Sequence, residues 1–246
     1  MRDPRVLQHL LDAATVDESV LALCPDYRAL LIVVDGIEPG PGDVRSEALL
    51  RDAEQHARAL LREHPVEALP HVAAWREAYR AFGAKPQRTR NSLEALLRRA
   101  DAGLPRVNRL TDVYNAISVR HGIPIGGEDL DHYAGSARLR RAVGVEPFET
   151  VADGATAVEH PEPGEVVWCD DAGVTCRRWN WRQTSRTQLT ASTRAALFIL
   201  DALDPVTDGE LSAAGAALAE ELRRLGSDIV LARRLISASS PAGNGD

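Results

Sequence analysis

The chain of 246 residues could form one large domain or two small ones, and its 44% hydrophobic and 26% charged residues exclude global disorder. No apolar run approaches the ~18–20 residues that span a bilayer, and the N-terminus lacks the apolar core of a signal peptide. We therefore expect a soluble, cytoplasmic protein without a membrane partner. The net charge of −7 disfavours indiscriminate nucleic-acid binding, and three cysteines without a C-x-x-C spacing argue against a disulfide framework or a zinc ribbon.

The first half of the sequence combines one predicted strand with several helices. Residues 27–37 are rich in β-branched and aliphatic side chains and end at a Pro/Gly turn, which predicts a buried strand. Apolar residues at helical spacing predict helices, one capped by Ser46 and another by Asn91 or Ser92. The predicted helices cover residues 1–23, 46–61, 71–82, 93–100 and 110–120, and the following G-I-P-I-G-G-E-D segment, 122–129, is predicted as a loop.

The periodicity changes in the second half. Short runs of strand character, separated by Gly, Pro and Asp, predict a packed β-layer and not a βαβ array. They cover residues 137–143, 148–151, 166–170 and 174–181. Residues 190–202 and 211–225 are predicted as helices, and 231–236 as an extension of the second. The expected organisation is an N-terminal helical extension at 1–26, one composite domain at 27–205, a C-terminal helix packed on it at 206–238, and a disordered tail at 239–246.

General signatures of catalysis are missing from the sequence. It contains no G-x-S-x-G, P-loop, dinucleotide-binding or H-E-x-x-H motif, and its seven histidines form no pair with ligand spacing. We therefore predict no cofactor and no metal site. The G-G-E-D segment at 126–129 could be a phosphate-cradling turn or a tight loop, and taken alone it favours the loop.

Positive charge is concentrated in two regions of this acidic chain. Residues 75–141 hold 13 Lys/Arg against 7 Asp/Glu, and no acidic residue lies between Asp171 and Asp201. In the first region, Lys85, Arg88 and Arg90 lie in a Gly/Pro loop before a predicted helix N-terminus, where cations and backbone N–H groups can bind phosphate. Composition alone leaves open whether such cations bind RNA or are scattered over the surface.

The second basic region contains the run C-R-R-W-N-W-R-Q-T-S-R-T, residues 176–187. Its tryptophans, arginines and amides supply stacking surfaces for bases, cations for phosphates and donors for base edges. If the run is a strand, Arg178, Asn180 and Arg182 share one face, and Trp179 and Trp181 share the other. Two interpretations remain open: a polar surface that binds RNA, or core tryptophans under a solvated face.

Residues 104–131, L-P-R-V-N-R-L-T-D-V-Y-N-A-I-S-V-R-H-G-I-P-I-G-G-E-D-L-D, resemble the B3/B4 domain of the β subunit of bacterial phenylalanyl-tRNA synthetase. In that family an N-x-x-x-D-V-x-N segment is followed by a short helix, a proline and an Asp-containing loop. The matching residues are Asn108, Asp112, Val113, Asn115, Pro124 and Asp129. The segments W-R-x-A-Y-R-x-F-G-x-K-P and W-N-W-R are similar to stand-alone B3/B4 proteins, and the resemblance covers residues 27–205.

The resemblance implies an α+β fold of three layers, with a β-sandwich of unusual topology flanked by helices. It also implies tRNA or aminoacyl-tRNA as the partner and a pocket that hydrolyses mischarged aminoacyl-tRNA. Carried over by position, Asn115 lies beside the amino acid, Pro124 lies in the pocket wall, and Asp201 lies near an acidic pocket position. The family's histidine two residues after the proline is replaced by Gly126, which changes the pocket at one central position.

Three functions follow as hypotheses. The first is a free-standing tRNA-binding protein that deacylates a mischarged or unusual aminoacyl-tRNA in trans, and the alternatives are a non-catalytic RNA-binding module and a small-molecule (amino-acid) binder or enzyme. A complete aminoacyl-tRNA ligase is not expected from 246 residues. The predicted catalytic residues are Asn115, Gly126, Gly127, Glu128, Asp129 and Asp201, the substrate-binding residues are Asn108, Pro124, Trp179 and Asn180, and the RNA-binding residues are Lys85, Arg88, Arg90, Arg178 and Arg182.

Overall fold

The computed structural model describes residues 2–152 and 154–238, and the predicted tail at 239–246 lies outside the described residues. The helices are α1 (Pro4–Asp12), α2 (Glu18–Leu21), α3 (Val44–Glu63), α4 (Pro70–Ala81), α5 (Ser92–Leu97), α6 (Arg109–His121) and α7 (Asp208–Arg223), with a 3₁₀ turn at Val66–Ala68. The strands are β1 (Thr15–Val16), β2 (Arg28–Asp35), β3 (Ile125–Asp129), β4 (Arg138–Arg141), β5 (Phe148–Ala152), β6 (Ala155–Glu159), β7 (Val166–Cys169), β8 (Val174–Arg177), β9 (Arg182–Gln183), β10 (Ala195–Ala202) and β11 (Val230–Ser237). No helix among the described residues has the length and apolarity needed to cross a bilayer.

Two sheets packed face to face form the centre of the fold. One has the strand order β1-β4-β7-β8-β9, and the other has the order β11-β2-β10-β3. A single apolar cluster takes Leu139 and Trp168 from the first sheet and Leu31 and Leu197 from the second, so the two inner faces share one core. Helices α6 and α7 cover the opposite face of the four-stranded sheet through a second cluster. These three layers confirm the predicted α+β fold, a β-sandwich flanked by helices.

Strand β10 separates the two cores and is buried along its whole length. It pairs antiparallel with β2 on one side and with β3 on the other. Because side chains alternate along a strand, Leu197 and Ile199 face the other sheet, whereas Phe198 and Leu200 face α6 and α7. This alternation places Asp201 on the face that looks toward the five-stranded sheet.

The predicted helix at 1–23 is two helices, α1 and α2, separated by the strand β1, which pairs with β4. Three further segments differ from the sequence-based predictions. Part of the predicted helix at 190–202 is the strand β10, and the predicted helical extension at 231–236 is the strand β11, which pairs with β2. The predicted loop at 122–129 contains the strand β3. The first two segments are too short for periodicity to separate a strand from a helix, and pairing with β2 decides between them.

The strand predicted for residues 174–181 ends early, and the run 176–187 does not have the alternating faces that a continuous strand would give it. Strand β8 ends at Arg177, and the next two residues, Arg178 and Trp179, have left-handed φ angles of 47° and 68°. Two consecutive non-glycine residues in this region store strain of roughly 1–3 kcal/mol each. Hydrogen bonds hold the turn, since Arg178 N donates to Glu165 Oε1 at 3.1 Å and Trp179 N donates to the carbonyl oxygen of Val166 at 2.7 Å. The turn buries both Trp179 and Asn180.

Capped helices approach the edge of the sandwich near β3. Asn91 caps α5, as predicted, by accepting a 2.8 Å hydrogen bond from Glu94 N. Asn108 caps α6 in the same way through Thr111 N at 3.0 Å. Ser46, predicted as a cap, instead lies inside α3, where it forms a reciprocal capping box with Asp43.

Candidate functional site

A cavity of about 230 Å³ lies where α5, α6, β3 and both sheets meet. Sites for drug-sized ligands measure about 300–1,000 Å³, so this cavity suits a smaller group, such as one amino acid. Six residues that the sequence predicted for the site line it: Asn115, Gly126, Glu128, Trp179, Asn180 and Asp201. The fold therefore brings together residues from four separate parts of the chain.

Asp201 is one of two buried carboxyls in the cavity. Its Oδ1 accepts a 2.6 Å hydrogen bond from the Tyr27 hydroxyl, and its Oδ2 accepts one of 3.3 Å from Asn180 Nδ2. The Tyr79 hydroxyl donates in turn to Asn180 Oδ1 at 2.9 Å. Burial raises the pKa of Asp201 to about 7, although these hydrogen bonds act in the opposite direction. The carboxyl is therefore poised to exchange a proton near neutral pH.

Glu128 is the second buried carboxyl. It lies opposite Leu197 in the β3–β10 ladder, which places it on the same face of the sheet as Asp201. The Thr187 hydroxyl donates a hydrogen bond to its Oε2. Burial raises the pKa of Glu128 to about 8, so the side chain is mainly protonated at pH 7. Two carboxyls with pKa values near neutrality in one cavity are typical of a functional site.

Other polar groups of the cavity have no hydrogen-bond partner among the described residues. Ser92 Oγ and the indole N–H groups of Trp168 and Trp179 are buried and unpaired. The Trp168 indole lowers the pKa of Asp201 without reaching hydrogen-bond geometry. The side-chain amide of Asn115 also makes no hydrogen bond within the described chain. These groups are free to bind a polar ligand.

The two adjacent glycines of β3 serve opposite faces. A Cβ atom on Gly127 would approach Leu189 Cδ1 to 2.6 Å and Phe198 Cε1 to 2.9 Å, so this glycine permits close packing against the helical core. A Cβ atom on Gly126 would meet nothing nearer than Gln183 Nε2, at 3.8 Å. Gly126 thus leaves open space in the cavity.

We expect alanine substitutions at the two glycines to have different effects, one on the free energy of unfolding and the other on the volume of the cavity. Gly127→Ala should lower the free energy of unfolding by about 1–3 kcal/mol, because the methyl group overpacks the contact with Phe198. Gly126→Ala should leave stability nearly unchanged and reduce only the cavity volume. Urea titration of both variants checks this, and equal losses of stability would contradict the assignment of Gly126 to the cavity.

Four predicted site residues lie outside the cavity lining. Gly127 packs on the opposite face of β3, and Asp129 accepts a 2.6 Å hydrogen bond from the Thr193 hydroxyl. Asn108 caps α6 and donates to the carbonyl oxygen of Leu189 at 3.0 Å. The carbonyl oxygen of Pro124 accepts a 3.0 Å hydrogen bond from Asp201 N. Their contacts support the fold around the site.

The predicted RNA-binding cations fall into two groups. Lys85 and Arg88 are exposed and have no ion-pair partner among the described residues, and Arg90 is 3.7 Å from Glu94. Arg178 and Arg182, in contrast, pair with Glu165 at 3.5 Å and Glu159 at 2.5 Å. The cations of the first group, above all Lys85 and Arg88, are therefore more available to an anion such as an RNA phosphate than Arg178 and Arg182 are.

Sequence reasoning missed several residues of the site. Tyr27 and Tyr79 support Asp201 and Asn180 from positions 174 and 101 residues away along the chain. No local pattern indicates such contacts. Arg99 and Trp181 also line the cavity, and the tryptophan–arginine run at 176–187 could have pointed to Trp181. No group of three or more His, Cys, Asp or Glu within the described ranges could hold a metal ion.

Comparison with known proteins relates these features to a family. No curated protein matches the sequence. Among solved structures, an N-terminal fragment of the phenylalanyl-tRNA synthetase beta-subunit from Pyrococcus horikoshii is similar, with 12% identity and a TM-score of 0.44. The similarity covers 90% of this chain and 53% of that one, so the chain spans about half the length of the fragment. A family model described as the B3/4 domain matches residues 74–214, which include every residue that lines the cavity, and the chain therefore belongs to the B3/4 domain family.

Proposed function

We propose that the protein binds tRNA and hydrolyses a mischarged or unusual aminoacyl-tRNA in trans, with the aminoacyl group in the cavity. The observation that carries this proposal is the pair of buried carboxyls, Asp201 and Glu128, beside the unpaired amide of Asn115 in a cavity of amino-acid size. Membership of the B3/4 family supports a function related to tRNA synthetases. Such a substrate would place the protein in the cytoplasm.

The cavity residues can be assigned roles in ester hydrolysis. The Asn115 amide donates to the ester carbonyl oxygen, where negative charge develops in the transition state. The Asp201 carboxylate takes a proton from a water molecule as the water oxygen attacks the carbonyl carbon. The bond to the ribose oxygen then breaks, and this oxygen receives the proton, which releases the amino acid and tRNA. Glu128, mainly protonated at pH 7, supplies a further hydrogen-bond donor.

Cations beside the cavity support an RNA partner. Between Arg76 and Arg99 the chain carries seven Lys/Arg and two Glu. One of these, Glu94, is fully buried and lies within 4 Å of three guanidinium groups, those of Arg76, Arg90 and Arg98. Glu94 belongs to α5, and other residues of this helix, Ser92, Ala95 and Leu96, line the cavity, so the cluster is next to it. Phosphates bound here would lie next to the acyl site.

Deacylation of a panel of misacylated tRNAs by the purified protein tests the proposal. We expect hydrolysis of at least one member, near-complete loss of it in Asn115→Ala, and tRNA affinity that falls as salt is raised. Hydrolysis no faster than the uncatalysed rate across the panel would overturn the catalytic role. Salt-dependent binding that ignores the aminoacyl group would then indicate an RNA-binding module, and a thermal shift with free amino acids but no tRNA binding would indicate a small-molecule binder.

A further inference from the structure

We propose that the mouth of the cavity is a nucleotide subsite, in which Trp181 stacks against the terminal base of the RNA and Arg99 contacts its phosphate. This subsite rests on the proposed function, since the acyl group must occupy the cavity for the terminal nucleotide to lie at its mouth. Neither residue belongs to the predicted set of site residues.

Exposure locates the mouth of the cavity. Glu128, Asp201 and Trp179 are almost completely buried and form its floor. Arg99 is exposed and Trp181 is half-buried, and both line the same cavity. The rim of the cavity therefore includes these two side chains together with the other half-buried lining residues, which are Ser92, Ala95, Gly126 and Gln183.

The size of the cavity requires a second subsite for an RNA substrate. Its volume of about 230 Å³ suits a single amino acid and leaves no room for a nucleoside as well. In an aminoacyl-tRNA the acyl group is joined directly to the ribose of the last nucleotide. When the acyl group is inside, that nucleotide must therefore lie against the residues at the mouth.

Trp181 has the surroundings of a stacking platform. The guanidinium carbons of Arg178, Arg182 and Arg177 lie 4.6, 5.0 and 5.8 Å from the centre of its ring. Two carboxylates, Glu159 and Glu165, pair with these three cations, so the ring is held in place and its surroundings keep an excess of positive charge. Bases stack on both aromatic rings and guanidinium planes, and an excess positive charge attracts a nucleotide.

Arg99 differs from its neighbour in having no competing partner. Arg98 is paired with Glu67 and Glu94, both at 2.9 Å. The side chain of Arg99 has no hydrogen bond or ion pair among the described residues. A guanidinium group at the rim of a site, without a carboxylate, is available for a phosphate. Arg99 and Trp181 thus offer the two contacts that a nucleotide needs.

Binding of uncharged tRNA, with and without its 3′-terminal nucleotide, tests the subsite without requiring catalysis. Wild-type protein should bind the intact tRNA roughly tenfold or more tightly than the trimmed tRNA, as expected for one stacked base. Trp181→Ala should abolish this difference, and Trp181→Phe should keep most of it. Arg99→Ala should reduce the difference, whereas Arg62→Ala, which removes an exposed arginine outside the cavity lining, should not.

Hydrolysis gives a second readout. Trp181→Ala should raise KM for the aminoacyl-tRNA at least severalfold, and by a clearly larger factor than KM for the methyl ester of the same amino acid, because this ester has no nucleoside. Equal binding of both tRNAs by wild-type protein would refute the subsite even if hydrolysis is observed. Loss of the tRNA difference in Trp181→Ala, without hydrolysis of any substrate, would support the subsite and contradict the proposed function. Equal damage to both esters would show that Trp181 only maintains the cavity.

Discussion

Asp201→Asn is expected to reduce the deacylation rate constant by roughly 10²- to 10⁴-fold, the usual contribution of a general acid–base group. The substitution keeps the size of the side chain and can still accept the hydrogen bond from Tyr27, but it removes the group that takes the proton from water. Single-turnover hydrolysis of the best substrate in the panel measures the effect. In wild-type protein the rate should rise with pH through about 7, as Asp201 ionises.

The control for this experiment is Asp204→Asn. Asp204 lies three residues further on, is exposed, and pairs with Arg28 at 2.9 Å outside the cavity. Its loss should leave the rate unchanged. A decrease of less than about threefold in Asp201→Asn, with normal folding by circular dichroism, would exclude Asp201 as the base.

Glu128→Gln is expected to stabilise the protein at alkaline pH while it impairs function. The folded-state pKa of about 8 is above the ordinary value of 4.5, so the native state holds a proton that the unfolded chain has already released. The favourable contribution of this carboxyl is present below pH 4.5 and is lost as the pH rises through about 8. At pH 9 the variant should therefore exceed the wild type by on the order of 4 kcal/mol, and at pH 4 the two should differ little.

Urea titrations at several pH values measure this difference. Comparing variant with wild type cancels the other titrating groups, and Glu63→Gln, at the exposed end of α3, is the matched control substitution. A difference between Glu128→Gln and wild type that does not grow from pH 4 to pH 9 would contradict a buried carboxyl at this position. A stable but less active variant would show that the buried acid is kept for function.

The sequence predicted the helices α3 to α7 and the buried strand β2 well because caps and periodicity are local signals. Asn91 caps α5 as predicted, and the α+β class is confirmed. It failed for β10 and β11, because so short a run is compatible with either a helix or a strand until its partner is known. The partner of both strands is β2, more than 150 residues away along the chain.

The candidate site was predicted through the family resemblance more than through chemistry. That resemblance indicated Asn115, Gly126 and Asp201, and all three line the cavity. Trp179 is buried in the floor of the cavity, whereas Trp181 is half-buried at its mouth. This difference could not be predicted, because it depends on the left-handed turn at residues 178 and 179. Nothing in the identities of Arg178 and Trp179 favours positive φ, and the surrounding contacts impose it.

The register of β10 links correct assembly of the sandwich to its chemistry. Asp201 faces the cavity, whereas its neighbour Leu200 faces the apolar core under α6 and α7. A slip of one residue in the pairing with β2 would exchange these two faces and transfer the carboxyl into hydrocarbon. A misregistered molecule would therefore lose stability and its reactive group together. Under the proposed function, the specific activity of a preparation would report the fraction of chains that have paired correctly, and it would serve as an assay of folding yield.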